Sequence, residues 1–196
     1  MVAEDVKPTL TGQGRRRIAS ERLVGGFRLF VLSALLLAGV GAIGRLAGWV
    51  ALTATLGPTA YVLLAHPGSV GARWRNAVSG HVLAVAVGLG CLAVFGLWDH
   101  PSVADQHHDT ARQIGAQALA VGLTLFLLHV LDAHHAPAAA PALLIASGIA
   151  RPGPPLYGLL TGLALVLAIA PLLTAATRHS HVWMPSRGWP MRRDER

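Results

Sequence analysis

The residue pattern predicts an all-α, polytopic transmembrane bundle, with six hydrophobic segments forming a 3+3 inverted repeat whose second and fifth helices are interrupted. Three observations lead there. Hydrophobic residues make up 53% of the 196 positions and charged residues only 13%, with a mean hydropathy of +0.52, so charge is too scarce to cover a water-soluble domain of this size. Uncharged runs of about 20 residues recur along the chain, the length a hydrocarbon core of about 30 Å requires at 1.5 Å per residue. Stretches such as 31–40 and 82–94 are apolar all round, whereas a helix of a soluble bundle keeps one polar face.

Taken in order, residues 1–26 form a basic tail containing Glu4, Asp5, Lys7, Arg15, Arg16 and Arg17. No small-residue cleavage site follows a short apolar core, so the first span is expected to remain as an uncleaved anchor and the tail to be disordered. The membrane domain is expected over 27–174, with segments at 27–44, 46–65, 77–97, 114–131, 133–148 and 156–174, followed by a second basic tail at 175–196. Cys91 is the sole cysteine and lies in an apolar run, where it serves as a small hydrophobe and no internal disulfide can form. Trp49, Trp74, Trp98 and Trp183 fall near span ends or in adjoining loops, as interfacial anchors do, and Trp49 could equally pack between helices.

The net charge of +7 does not indicate a nucleic-acid partner, because the cations cluster at the two ends and beside the spans. Lys7, Arg15, Arg16, Arg17, Arg22 and Arg28 precede or open the first span, and Arg178, Arg187, Arg192, Arg193 and Arg196 follow the last. The positive-inside rule therefore puts both termini in the cytoplasm, and the number of crossings is even. Six crossings also bring the Arg73/Arg75 loop inside and the loop with Asp99, Asp105 and Asp109 outside; of the sixteen basic residues only Arg45, Arg112 and Arg151 then lie outside. Four crossings, with the second and fifth segments re-entrant, would reverse both loops. The expected location is the cell membrane, with the lipid bilayer as a partner and the basic tails able to bind anionic headgroups.

Shifting the chain by 82 residues lays the first three segments over the last three and places Ala54 on Ala136, Ala60 on Ala142, Gly80 on Gly162 and Leu83 on Leu165. Three crossings per repeat make the second copy enter from the opposite side, the inverted arrangement of many secondary transporters, whose solute sites lie near the midplane. The two middle segments carry the helix breakers Gly57-Pro58 and Pro137 with Pro141. Interrupted backbone in lipid costs several kcal/mol per unsatisfied group, roughly, so it must face protein or a water-filled cavity. A half-helix starting near Pro58 or Pro137 would aim free amides, equivalent to about half a positive charge, at a small anion. Prolines that only kink packed helices remain the plainer alternative.

The run GPTAYVLLAHPGSVGARWRNAVSGHVLAVAVG at 57–88, with the run HHAPAAAPALL at 134–144, resembles the HPP family of integral membrane proteins. The resemblance covers roughly 27–174 and rests on a Gly-x-x-Ala element, the Arg75-Asn76 pair and the Gly80-His81 pair. The His-Pro-Pro motif is altered to His135-Ala136-Pro137, and Ala139 takes the place of a usual glycine. The resemblance implies a transporter of four spans and, through plant and cyanobacterial relatives associated with nitrite uptake, an anionic cargo.

A solute-binding set is expected at Gly57, Pro58, Thr59, Arg75, Asn76, His81, His135, Ala136 and Pro137, with Asn76 and Ser79 at a polar mouth. His81 lies about a turn into a span, where a polar side chain needs a partner or a cavity. His129, Asp132 and His134 form a candidate proton relay, since histidine titrates near neutral pH and Asp132 could hold an imidazolium; solvated, passive residues at the interface are the alternative. His100, Asp105, His107, His108 and Asp109 crowd the acidic loop, where imidazole with carboxylate could bind zinc or copper; no spacing there is diagnostic, and a merely hydrated loop is the plainer reading. No nucleotide, nucleophile-elbow or zinc signature is present, so neither enzymatic activity nor a cofactor is expected. The expected function is a transporter or channel for a small solute, a small anion such as nitrite. A membrane scaffold or sensor, associating through Gly39, Gly41 and Gly44, is the alternative, and homo-oligomerisation is compatible with either. A metal-dependent intramembrane enzyme is the third reading and requires His81, His129 and His135 to converge.

Overall fold

The computed structural model describes residues 12–178, whose regular elements are all helices, with no β-strand among them. Residues 1–11 and 179–196, with Lys7, Trp183 and the last four arginines, lie outside the described residues. The helices are α1 (Gly12–Ala47), α2 (Leu56–Ala65), α3 (Trp74–Val94), α4 (Val103–Gln106), α5 (Ala111–Val130), α6 (Ala139–Ala146) and α7 (Pro154–Arg178), with short 3-10 turns at Val70–Ala72 and Ala136–Ala138. Helix α1 thus begins well before residue 27, where the first span was expected to open.

Among the described residues, four helices are long and apolar enough to cross a membrane: Ala19–Ala47, Trp74–Val94, Ala111–Val130 and Pro154–Thr177. Their outward faces carry large hydrophobics such as Phe27, Phe30, Val82, Phe126 and Leu172, and each backbone satisfies its own hydrogen bonds, as a lipid-exposed chain must. Helix α2 has 10 residues, about 15 Å, and cannot cross alone. The chain nevertheless passes from end to end there. Val50 and Ala51 lie against Gly158 and Gly162 near the start of α7, while Leu63 and Pro67 share a pocket with Pro171 and Thr174 near its end. An unwound strand, 48–55, and the half-helix α2 together make the second passage.

The fifth segment repeats this in reverse. Its start meets α3 at Gly80, which faces His135 and Ala138, and its middle meets Gly88, which faces Ala142 and Ile145. At its far end Ser147 accepts a hydrogen bond from the Val103 amide at 3.1 Å. Six passages therefore put both described ends of the chain on one face of the bundle, where Arg22 and Arg28 of α1 line a groove with His66 and Thr174. Arg73 and Arg75 open α3 at that same basic end, as six crossings require; the four long helices are those that a four-span description counts.

The 82-residue register survives in three dimensions. Helices α1, α2 and α7 pack as one trio and α3, α5 and α6 as another, so the register carries one trio onto the other. Gly80 packs on Ala138 just as Gly162 packs on Leu56, and 80, 138 and 162, 56 are the same pair 82 residues apart. The first helix of each repeat also ends alike. After α1 the Trp49 amide reaches Gly44 O at 2.9 Å and the Gly48 amide Arg45 O at 3.3 Å, with Gly48 at φ +77°. After α5 the Ala133 amide reaches Leu128 O at 2.9 Å and the Asp132 amide His129 O at 3.2 Å, with Asp132 at φ +52°. Both are Schellman stops, which satisfy the last free carbonyls through a left-handed residue.

Gly44 and Gly41 receive Ala51 and Leu52 of the unwound strand. The small-residue face expected to associate helices is used inside the chain at these two positions, and only Gly39 has open space. Cys91 is a free, buried thiol in the second trio's core. Trp74 and Trp98 flank α3 half-exposed, and Trp49 sits against Tyr157 with ring centroids 5.6 Å apart.

Candidate functional site

Polar side chains are rare in the apolar interior, and three of them meet. Thr59 comes from the first turn of α2, His81 from the second turn of α3, and His135 from the residue that opens the 3-10 turn before α6. Their relative exposures are 0%, 3% and 0%. His81 Nε2 lies 3.2 Å from Thr59 Oγ1 and 3.2 Å from His135 Nε2, and the two imidazoles meet edge to face with centroids 4.9 Å apart. His135 Nδ1 donates to the carbonyl oxygen of Gly71 at 2.7 Å. The Thr59 hydroxyl also reaches back to Thr55 O at 3.4 Å.

The cluster spans the seam between the trios, because Thr59 belongs to one and both histidines to the other. It lies about 10 Å from the basic end, seven helical residues into α3. Local sequence explains the convergence. Pro58 sits in the first turn of α2, where a missing amide hydrogen costs nothing, and Pro137 does the same for the second half-helix. Gly80 lets α3 approach so closely that a Cβ there would stand 3.2 Å from His135 Cβ, which brings the neighbouring His81 ring onto His135. One atom remains without a partner: His81 Nδ1 is buried and makes no hydrogen bond. Unpaired buried polar atoms cost roughly 1–3 kcal/mol, so they mark sites with an unmet need.

A cleft of about 550 Å³ opens at the basic end, lined by Arg73, Arg75, Asn76, Ser79, Asp132 and Ala133 among others. The Arg75-Asn76 pair lies in this cleft, with Asn76 Nδ2 donating to Val70 O at 3.0 Å and Ser79 Oγ to Arg75 O at 2.6 Å; Thr59, His81 and His135 are not among its lining residues.

The binding set expected from sequence divides accordingly. Thr59, His81 and His135 come together; Arg75 and Asn76 line the separate cleft at the basic end; Gly57, Pro58 and Ala136 are exposed on the outside of the bundle, and Pro137 is half-buried. Of the candidate relay, His129 is exposed, and Asp132 Oδ1 pairs with His134 Nδ1 at 3.0 Å on the open surface, their side chains 90% and 53% exposed. No hydrogen bond joins these three to the buried pair. Among the described residues no three histidine, cysteine or carboxylate side chains gather as metal ligands, so the convergence of His81, His129 and His135 that an intramembrane metalloenzyme required does not form. The acidic-loop residues are occupied locally: Asp105 accepts from the Ser102 hydroxyl at 2.8 Å and amide at 3.1 Å, His108 contacts Gln106 O at 2.8 Å, and Asp109 accepts from Gln117 at 2.7 Å. The two hydrogen bonds from Ser102 hold the Asp105 carboxyl below its ordinary range.

Residues 18–183 match the family described as HPP, transmembrane region. The chain belongs to the HPP family. Its altered motif, His135-Ala136-Pro137, keeps the histidine that enters the buried pair, while the substituted position, Ala136, is exposed. No curated protein and no solved structure matches this HPP chain. Gly71 was not singled out from the sequence, because its contribution is a backbone carbonyl that no residue type announces; a Cβ there would stand 3.0 Å from His134 O.

Proposed function

We propose that this HPP protein transports a small solute across the cell membrane, with a small anion such as nitrite as its cargo, and that both termini face the cytoplasm. The observation that carries the reading is a buried, incompletely bonded histidine pair at the seam of two inverted repeats, in a bundle whose basic end also holds a cleft lined by arginines. Relative movement of the trios would break the Thr59–His81 contact, the one hydrogen bond of the cluster that joins them, and so expose the pair to alternate sides. The arginines concentrate anions at the mouth, and the imidazoles supply hydrogen bonds where lipid would exclude a naked charge.

The test is uptake of nitrite, nitrate, formate and chloride into proteoliposomes holding the full chain, measured above the leak of protein-free vesicles. At least one of these anions is expected to show protein-dependent flux, which His135→Ala should abolish while the protein remains inserted. Flux equal to that of empty vesicles for every anion would favour the scaffold reading, and undiminished flux in the variant would remove His135 from the pathway.

A further inference from the structure

Hydrogens on the pair can be placed one by one. A carbonyl oxygen only accepts, so His135 Nδ1, 2.7 Å from Gly71 O, bears a hydrogen. In the neutral ring His135 Nε2 is then a lone pair, and it faces His81 Nε2 at 3.2 Å. Two lone pairs at that distance repel, so His81 carries its hydrogen on Nε2, shared between His135 and Thr59 Oγ1. Of four ring nitrogens one is left vacant, His81 Nδ1, which is the atom without a partner. In the neutral pair it is a bare acceptor. A third hydrogen has nowhere else to go, and adding it turns Nδ1 into a donor on a positively charged pair.

Neither half of an ion pair is welcome there alone. An anion would meet the Nδ1 lone pair, and a protonated pair would be a buried charge without a counter-ion. Groups on the packed elements offer no remedy among the described residues. Helix α2 presents Thr59 and the 70–72 turn a backbone carbonyl; α6 carries no titratable side chain. On α5, Arg112 and His129 are exposed, and the one titratable side chain described on α7 is Tyr157, near its start. Arg73, Arg75, Asp132 and His134 are exposed at the basic end.

We infer that the cargo enters this site as anion plus proton, the anion held against a protonated His81 Nδ1, so that each transport event moves one proton with one anion and no net charge. This rests on the transport reading above. The proton comes from solvent or from the conjugate acid, resides on Nδ1 while the anion accepts its hydrogen bond, and leaves with the anion; only N–H and H–A bonds form and break. Small planar conjugate bases of weak acids, nitrite and formate, fit this role because the proton can reside on either partner.

Proteoliposomes containing a pH dye, with the potential clamped by potassium and valinomycin, separate the outcomes. The expected result is protein-dependent uptake of nitrite or formate that acidifies the lumen by one proton per anion, at a rate indifferent to the sign of the clamped potential. Protein-dependent flux that follows the potential without proton uptake would overturn this inference and leave the transport reading standing. Absence of protein-dependent flux removes the transport reading, and the inference with it. His81→Gln keeps an N–H donor for His135 but no titratable nitrogen. It should melt at the wild-type temperature and lose proton-linked uptake, and a variant that melts normally and retains it would also refute the inference.

Discussion

The unwound strand that makes the second passage depends on two glycines of α7, and Gly162→Ala measures that dependence. A Cβ at 162 would overlap the carbonyl oxygen of Ala51 and stand 3.0 Å from Leu56 Cδ1. Ala51 and Leu56 are themselves 1% and 0% exposed, and the obstructing oxygen is backbone, so the clash cannot be relieved by a rotamer change. Overpacking costs typically 1–3 kcal/mol, and a backbone obstruction belongs at the upper end, about 3 kcal/mol. Alanine returns about 1 kcal/mol through helix propensity, leaving a loss of about 2 kcal/mol. At Gly80 the obstructing atoms lie between 3.2 and 3.4 Å and belong to side chains, so cost and propensity gain should nearly cancel. Gly90, exposed on α3, has no neighbour within 4 Å, and alanine there should gain about 1 kcal/mol. The two extremes differ by about 3 kcal/mol, which at roughly 2–4 °C per kcal/mol for a chain of this length separates their melting temperatures by about 6–12 °C. Thermal unfolding in detergent, followed by tryptophan fluorescence with Trp49 beside Tyr157 as a local reporter, reads the series. Equal melting of Gly162→Ala and Gly90→Ala would show that the strand 48–55 is not seated on α7, and the account of the second passage would fail with it.

Other consequences are more local. Asp132 holds φ +52° in the stop after α5, a conformation that suits glycine better, so Asp132→Gly should hold or raise stability by up to about 1 kcal/mol and leave flux intact; lost flux in a stable variant would restore the relay. The Asp105 carboxyl is held low by Ser102, so the cap's contribution is complete above the unfolded carboxylate value of about 3.9 and is lost as pH falls through the still lower folded value. Hydrogen exchange at 102–106, corrected for intrinsic rates, should be insensitive to pH between neutrality and 5 and accelerate only below about 4; acceleration near pH 6 would contradict the cap.

What was legible in the chain follows from what lipid demands. Spans expected at 77–97, 114–131 and 156–174 correspond to Trp74–Val94, Ala111–Val130 and Pro154–Thr177, because unbroken apolarity is the one property every lipid-facing helix shares. The second segment, expected over 46–65, is helical only from Leu56. Between Gly48 and Gly57 no residue is a breaker by type; the backbone is drawn out by docking into Gly158 and Gly162, whose place beside it is a tertiary fact. His81 stood out as a polar group within a span, Thr59 beside the Gly57-Pro58 breaker, and His135 through its place in the HPP-like motif. His129 stood out as part of an ionisable group near a span end and lies elsewhere, because Ala120, Thr124 and Leu128 form the buried face of α5, and the residue after Leu128 is turned about 100° away from it. Ionisable residues near a span end signal function only when helical phase turns them inward.

The fold is repeated, but the polar cluster is not. In the 82-residue register the mates of Thr59, His81 and His135 are Pro141, Leu163 and Thr53, so where the cluster sets a hydroxyl and two imidazoles, the corresponding positions of the opposite repeats hold proline, leucine and a threonine. Thr53 bonds to Thr55 at 2.9 Å rather than to any histidine. Among the described residues the other buried polar side chains, Thr55, Ser102, Gln113, Thr124, Ser147 and Thr174, are hydroxyls and an amide, so of these groups only the histidine pair can take up a positive charge. Under the transport reading, a charge leaving the pair toward the acidic end would meet neutral dipoles alone, at much of the desolvation cost borne by any bare ion in an apolar interior. A neutral unit would not bear it. The asymmetry of the repeats thus favours, on grounds separate from the tautomers of the histidines, a cargo whose charge is cancelled before it crosses.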